Sequence, residues 1–225
     1  MFLKVYIADI SPLYDEKIYS YYYEKSIPHR KKKADAIKPQ KSKCRSIGAG
    51  ILLKKALTDV GIPKNLWEFK NTEEGRTELA DAAELMIDFN LSHSGDKVMC
   101  VISDRRVGCD VEKIKENNKV AKRFFAETEA ELSADNSRMF TRIWTLKESF
   151  IKTTGEGLSR PLNSFEICFS EDLSEVTGVK GDGITDGTYS FYEWDKGDGY
   201  RYSLCVEGIG LTPEVEQVEF GSGQG

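Results

Sequence analysis

The chain has 225 residues, 40% of them apolar, so a core large enough for one sizeable domain or two small lobes is available. Acidic residues number 37 against 32 basic ones, a net charge of −5, and such near balance with ample apolar content excludes an intrinsically disordered chain. No run approaches the ~18 apolar residues of a membrane-spanning helix. The N-terminus has no basic leader or apolar cleavage-type segment, and five cysteines without a Cys-x-x-Cys spacing point to reduced thiols; together these place the chain in the cytoplasm.

Taken in chain order, residues 2–8 read as a strand, and Ser11-Pro12 opens a helix with Ser at the N-cap and Pro at the first position. Residues 29–45 carry eight Lys or Arg and one acid, Asp35, whereas residues 171–225 carry twelve acids and three bases. A basic run of this kind is usually a solvated helix face, and otherwise a phosphate- or nucleic-acid-binding surface. Residues 43–60 predict a helix, with Ile47, Ile51, Leu52, Ala56 and Val60 at helical spacing and Gly61 as its stop. Gly48 and Gly50 sit in mid-pattern, lack the third glycine of a dinucleotide fingerprint, and read as close packing.

Residues 87–91 and 97–103 predict strands around the turn-rich Ser-His-Ser-Gly-Asp. A turn at 104–106 leads into a third strand, 107–114, so the region reads as a meander. Residues 138–154 give the strongest helix, ended by Gly155 and Gly157. Short strands follow, with Lys-Gly-Asp-Gly at 180–183 and again at 196–199 as hairpin turns.

Asp110 and Glu112 stand at i and i+2 of a strand, so their carboxylates project to one side. Like charges that close repel unless a cation lies between them; an ordinary exposed face paired with Lys113 and Lys115 is the blander reading. On the long helix Phe140, Ile143, Trp144, Phe150 and Ile151 form one stripe with Lys147 near its centre, where a lysine must snorkel or meet an anion. Glu148 and Lys152 flank that stripe, either as an i, i+4 ion pair or as a third carboxylate and a phosphate contact. Three carboxylates on rigid elements suit octahedral Mg²⁺, and Mn²⁺ accepts the same ligands. His93 is either a structural turn residue or, beside Ser92, a phosphate contact.

The ordered set Asn-Leu-Ser-His-Ser-Gly (90–95), Gly-Cys-Asp-Val-Glu-Lys (108–113), Lys-Arg-Phe-Phe-Ala-Glu-Thr-Glu (122–129), Trp-Thr-Leu-Lys-Glu-Ser-Phe-Ile-Lys (144–152) and Gly-Leu-Ser-Arg-Pro-Leu-Asn-Ser-Phe (157–165) is more specific than any part. It resembles the Sfp-type 4′-phosphopantetheinyl transferases, which activate carrier proteins of peptide and polyketide synthetases. The resemblance implies a mixed α+β fold of two similar lobes related by pseudo-twofold symmetry, residues 1–105 and 106–225, with coenzyme A in the cleft. It implies transfer of phosphopantetheine from coenzyme A to a carrier-protein serine, release of 3′,5′-ADP, and action as a monomer.

By matching motif positions, Asp110, Glu112 and Glu148 are the implied magnesium ligands. Glu148 is also the first choice as proton acceptor, and Lys152 the partner of the pyrophosphate. Glu129 matches an acid of the family's Phe-Phe-x-x-x-Glu stretch, as a catalytic group or as a helix N-terminal acid. The 3′-phosphate falls to Arg30, Lys33, Arg45, Ser46, Ser92 and His93. The adenine end falls to Glu74-Gly75-Arg76-Thr77, where relatives usually carry Gly-Lys-Pro, a departure that keeps the cation and loses the proline. Leu158, Pro161 and Leu162, with Arg160 as charge partner, match the carrier-docking region. The rivals are a non-catalytic coenzyme A-binding protein of the same fold, a pyrophosphate hydrolase, and a nucleic-acid module on residues 29–45, the last disfavoured by acidic balance and the lack of an aromatic platform.

Overall fold

A computed structural model describes residues 1–72, 75–115 and 121–221. Strand β1 (Leu3–Asp9) is followed by a 3-10 turn at Ser11–Tyr14 and by helix α1 (Glu16–Lys25). The helix therefore begins later than Ser11-Pro12 suggests. Its cap is Asp15, whose carboxylate accepts from the amides of Lys17 and Ile18 at 2.9 and 3.1 Å. Next come α2 (Pro28–Asp35), α3 (Gln40–Asp59), the hairpin of β2 (Phe69–Asn71) and β3 (Thr77–Leu79), α4 (Ala82–Leu85), β4 (Asp88–Ser94) and β5 (Lys97–Ser103).

The second half opens with β6 (Val107–Lys113), then α5 (Ala121–Phe124), α6 (Glu127–Ser133) and α7 (Ser137–Thr154). The hairpin of β7 (Phe165–Phe169) and β8 (Val176–Gly181) follows, then β9 (Tyr189–Trp194), β10 (Tyr200–Glu207) and β11 (Glu214–Val218).

The first sheet runs β11-β1-β5-β4 and the second β6-β10-β9. The same succession appears twice: a strand, helices of which one is long, a two-stranded hairpin, then two antiparallel strands that close against the first. The mixed α/β architecture of two topologically equivalent halves follows from that repetition, although the two halves share no motif visible in the sequence. Three local expectations change. Strand β6 pairs with β10 rather than continuing a meander from β5. Of the two Lys-Gly-Asp-Gly turns, only 196–199 joins hydrogen-bonded neighbours, β9 and β10. Strand β11 crosses back to run parallel with β1, so residues 214–218 complete the first lobe's sheet and a single cut near 105 does not separate the lobes. The return covers the outer edge of β1, which would otherwise present unpaired backbone groups.

Both faces of the first sheet are buried, which is why β1 and β5 read as continuous apolar runs. Tyr6, Ala8, Cys100 and Ile102 pack under Leu52, Leu53 and Ala56 of α3. On the alternate face Val5, Ile7, Met99 and Val101 meet Val107, Cys109, Val111, Tyr202 and Leu204 of the second sheet. Helix α7 covers the far side of the second sheet, giving a helix–sheet–sheet–helix stack.

Two close approaches fix the helices. A Cβ on Gly50 of α3 would lie 2.3 Å from Ser26 Oγ and 2.8 Å from Arg30 Cβ, so the mid-helix glycine is close packing as the sequence indicated. A Cβ on Gly108 of β6 would lie 2.3 Å from the Ser149 carbonyl oxygen and 2.6 Å from the Thr153 nitrogen of α7. The helix is seated further by Thr145 Oγ1 at 2.7 Å from Ser203 Oγ, and by Thr153 Oγ1 donating to the Cys205 carbonyl at 3.0 Å. A Gly108→Val substitution is expected to cost about 1–3 kcal/mol by overpacking, read as a lowered Tm. An unchanged Tm would contradict the tight seat of α7 on β6.

Candidate active site

Strands β4 and β6 lie side by side, one from each lobe, yet belong to different sheets. Their backbones are joined through side chains. Every second residue of β4 accepts an amide of β6: Asp88 Oδ2 from Val107 at 2.9 Å, Asn90 Oδ1 from Cys109 at 3.1 Å, Ser92 Oγ from Val111 at 3.2 Å and Ser94 Oγ from Lys113 at 3.2 Å. The two-residue period of both strands keeps the four contacts in step.

Above this seam Asp110 and Glu112 project from β6 and Glu148 and Lys152 from α7. Lys152 Nζ donates to Asp110 Oδ1 at 2.6 Å and to the Cys109 carbonyl at 3.1 Å. The Ser92 hydroxyl also donates to Asp110 Oδ1, at 2.8 Å, and that of Ser94 to Glu112 Oε2, at 2.6 Å. Asp110 is only 4% exposed, and its second oxygen, Oδ2, is buried without a hydrogen-bond partner. Burial raises the Glu112 and Glu148 carboxyls above the ordinary carboxylate range, and the charge of Asp110 adds to the rise in both. Burial works against the charge of Lys152, but Asp110, Cys109 and Glu148 together outweigh it and hold the ammonium above its usual value.

A hollow of about 300 Å³ beside Glu148 and Lys152 of this group reaches the first lobe, lined by those two residues and Ile151 from the second lobe and by Arg30, Lys33 and His93 from the first. Arg30, Lys33 and His93 also line a neighbouring recess of about 180 Å³ with Ser42, Arg45 and Ser46. Arg30 is 5% exposed, makes no ion pair among the described residues, and has a buried Nε without a partner. Burial pushes its guanidinium down to about 10. Lys33 and His93 are exposed at the mouth of the recess, yet partial desolvation by its walls lowers Lys33, with Arg30 adding to it, and lowers His93, with Arg45, Arg30 and Lys33 adding to it. A buried cation without a counterion among the described residues, flanked by the more exposed Lys33, Arg45 and His93, forms a strong demand for an anion. The recess is held in shape by Ser46 Oγ donating to the Arg30 carbonyl at 3.1 Å, which ties α3 to α2.

Arg30, Lys33, Arg45, Ser46 and His93 are therefore brought together, and Gly75 and Thr77 line the same hollow. Three candidates are placed differently. Ser92 is 7% exposed and turns its hydroxyl to Asp110, because alternation along β4 points it across the seam while His93 faces the hollow. Arg76 lines the hollow but commits its guanidinium to Asp88 Oδ1 at 2.5 Å, to the carbonyls of Phe89 and Val107, and to that of Lys152, so it braces the two lobes. Glu129 is 1% exposed and away from the hollow: its carboxylate takes the Ala126 amide at 3.0 Å, the Ile167 amide at 2.9 Å and Lys147 Nζ at 2.7 Å. The helix-terminus role is the one the geometry supports, and Lys147, on its apolar stripe, meets its anion there. Glu74 and the side chain of Leu158 lie outside the described residues. Arg160 of the adjoining loop pairs with Glu156 at 2.9 Å and lies over the rings of Phe150 and Phe165, while Pro161 is exposed. The sequence reading missed Asp88, Asn90 and Ser94, whose alternation along one strand was the available signal.

The residues around Asp110 suit a divalent cation: hard oxygen donors, an orphaned buried carboxylate oxygen, and three acids whose charges oppose one another. The acids do not already form a closed three-ligand group among the described residues, and Lys152 occupies one oxygen of Asp110. A cationic recess around the buried Arg30 and the Glu148 edge of an acidic cluster share one interlobe hollow, an arrangement suited to a polyanionic phosphate compound.

Comparison with known proteins identifies the class. The model of the 4′-phosphopantetheinyl transferase superfamily matches residues 106–205, the span that holds Asp110, Glu112, Glu148 and Lys152. The chain is 35% identical over 168 residues to the 4′-phosphopantetheinyl transferase gsp of Aneurinibacillus migulanus, covering 72% of this chain and 68% of that protein. It is 28% identical over 200 residues to the transferase Sfp of Bacillus subtilis, covering 86% and 87%. Against the transferase HetI of a Nostoc species it is 31% identical over 186 residues, covering 78% and 76%. The chain belongs to the 4′-phosphopantetheinyl transferase superfamily, enzymes that move phosphopantetheine onto apo carrier proteins.

The lowered His93 gives a prediction with a definite sign. The folded state keeps this imidazole neutral where the unfolded chain, with its ordinary value of 6.5, already binds a proton. Stability is therefore lost as pH falls below about 6.5. Added inorganic phosphate should restore part of the lost Tm in the wild type and less in His93→Gln. Equal restoration in both proteins would remove His93 from the anion recess.

Proposed function

We propose that this protein transfers 4′-phosphopantetheine from coenzyme A to a serine of an apo peptidyl or acyl carrier protein in a divalent-cation-dependent reaction, releasing 3′,5′-ADP. The observation that carries the reading is one hollow lined by the cations Arg30 and Lys33 with His93 and, at Glu148, by the edge of the acid cluster of Asp110 and Glu112, as the 3′-phosphate and pyrophosphate of one substrate would require.

Arg30, Lys33, Arg45 and His93, with Ser46 in the wall, hold the 3′-phosphate. The adenine end lies toward Gly75 and Thr77, with Arg76 acting as a brace. Asp110, Glu112 and Glu148 would hold Mg²⁺ or Mn²⁺, which supplies charge neutralisation at the pyrophosphate. Lys152, kept charged beside Asp110 and lining the hollow, meets the pyrophosphate and the departing 3′,5′-ADP. Glu148, whose raised carboxyl stands in the same hollow, takes the proton of the carrier serine as its oxygen bonds to phosphorus and the bond to the leaving phosphate breaks. The recess holds the leaving group at its far end throughout.

The loop from Gly155 to Ser164 borders the hollow and is the docking surface for the carrier, with Pro161 and the exposed parts of Leu162 at its face. The enzyme acts as a cytoplasmic monomer with reduced thiols. No helix among the described residues is long and apolar enough to cross a membrane. The basic residues 29–45 serve coenzyme A rather than nucleic acid.

The direct test is to incubate the chain with coenzyme A, Mg²⁺ and apo carriers and weigh the carriers intact. A phosphopantetheine-sized gain that disappears in Glu148→Gln and on chelation is expected. Coenzyme A bound without any gain would instead identify a silent binder, and coenzyme A cleaved without carrier a hydrolase. Lys33→Ala should weaken coenzyme A more than dephospho-coenzyme A by about tenfold, the loss of one charged contact. Equal losses for the two ligands would displace the 3′-phosphate from this recess.

A further inference from the structure

We propose that Ser94, with Ser92 beside it, is a positioning residue that sets the acid pair of one lobe from a strand of the other. The inference rests on the reading of Asp110 and Glu112 as cation ligands.

Each hydroxyl has one proton and accepts as well. Ser94 Oγ accepts the Lys113 amide at 3.2 Å, which directs its own proton to Glu112 Oε2 at 2.6 Å. Ser92 repeats the arrangement two residues earlier, accepting from Val111 at 3.2 Å and donating to Asp110 Oδ1 at 2.8 Å. The seam itself needs only acceptors. Asp88 and Asn90 show this at the other end, where they take the amides of Val107 and Cys109 opposite Arg106 and Gly108. A hydroxyl appears only where the residue before the bound amide is a carboxylate. An aspartate there would repel it and an alanine would deprive the carboxylate of a hydrogen bond and leave the amide without its acceptor.

Ser94 bears more of the task than Ser92. Asp110 has Lys152 as a second partner, whereas Ser94 supplies the one side-chain hydrogen bond to Glu112 among the described residues. The serine is 6% exposed, so water does not readily replace its hydroxyl. Outer-shell groups of this kind fix a ligand's rotamer before the cation arrives, and losing one commonly costs about 10–100-fold in metal affinity. Cation affinity is thereby coupled to the register of the two lobes, since donors and carboxylates lie on opposite sides of the seam.

The test is Mn²⁺ affinity of the full chain, measured by electron paramagnetic resonance without coenzyme A or carrier, together with Tm and steady-state kinetics. Ser94→Ala is expected to weaken Mn²⁺ about 10–100-fold and to lower kcat at limiting metal, with KM for coenzyme A little changed. Ser94→Thr, which keeps the hydroxyl, should recover most of the affinity. Should the alanine variant not fold, Ser94→Cys, close in size and a weak donor, is read in the same way. A variant with lowered Tm and wild-type Mn²⁺ affinity would show that Ser94 only stitches the strands, which overturns the proposal. Asp110→Ala separates the two readings: if it binds Mn²⁺ as the wild type does, the acid-site assignment itself falls and this inference with it.

Discussion

The organisation of the molecule depends on the side-chain seam between β4 and β6. Two sheets that share a core must also meet at an edge, and there the amides of β6 face another strand rather than solvent. Asp88, Asn90, Ser92 and Ser94 satisfy those amides without merging the sheets. The lobes thus remain separate enough to leave a hollow between them, yet fixed to within a hydrogen bond. Arg76 reinforces the same junction by bonding to Asp88, to Val107 and to the end of α7.

Two electrostatic demands meet at that hollow, and neither is fully satisfied among the described residues. In the first lobe Arg30 is buried with no counterion among the described residues, and the more exposed Lys33 and His93 are both lowered by partial desolvation and by the neighbouring cations. In the second lobe burial and mutual repulsion raise Glu112 and Glu148, and Lys152 relieves only one oxygen of Asp110. A substrate with two separate anionic groups, together with a cation, would settle both demands at once. By contrast, the buried Glu129–Lys147 pair has all its obvious needs met by Ala126, Ile167, Leu162 and Phe165. It belongs to the scaffold that holds α7 in place, one residue from Glu148.

Much of the site was legible in sequence because its chemistry is local. The i, i+2 spacing puts Asp110 and Glu112 on one face of β6, the helical spacing puts Lys147 toward the core and Glu148 and Lys152 on its flank, and mid-helix Gly50 marks a close contact. What misled was assigning Ser92 and His93 together, since neighbours on a strand face opposite ways. Arg76 misled similarly: its charge is evident from sequence, but the carbonyls that claim it come from residues 89, 107 and 152.

The sequence by itself determined the strand of Asp110 and Glu112, the helix of Glu148 and Lys152, the charge of each patch, and the ordered motifs of the transferase superfamily, because these follow from short-range periodicity and residue chemistry. It did not determine the helix of Arg30 and Lys33 or the extension of the strand through Ser92, His93 and Ser94. Only the tertiary structure decided that β6 pairs with β10, that β11 returns to the first sheet, that Glu129 is spent on Lys147, and that Ser92 and Ser94 serve the acids. Each of those outcomes is a choice among partners far apart in the chain, settled by which buried polar groups could be satisfied together when the two lobes closed on one another.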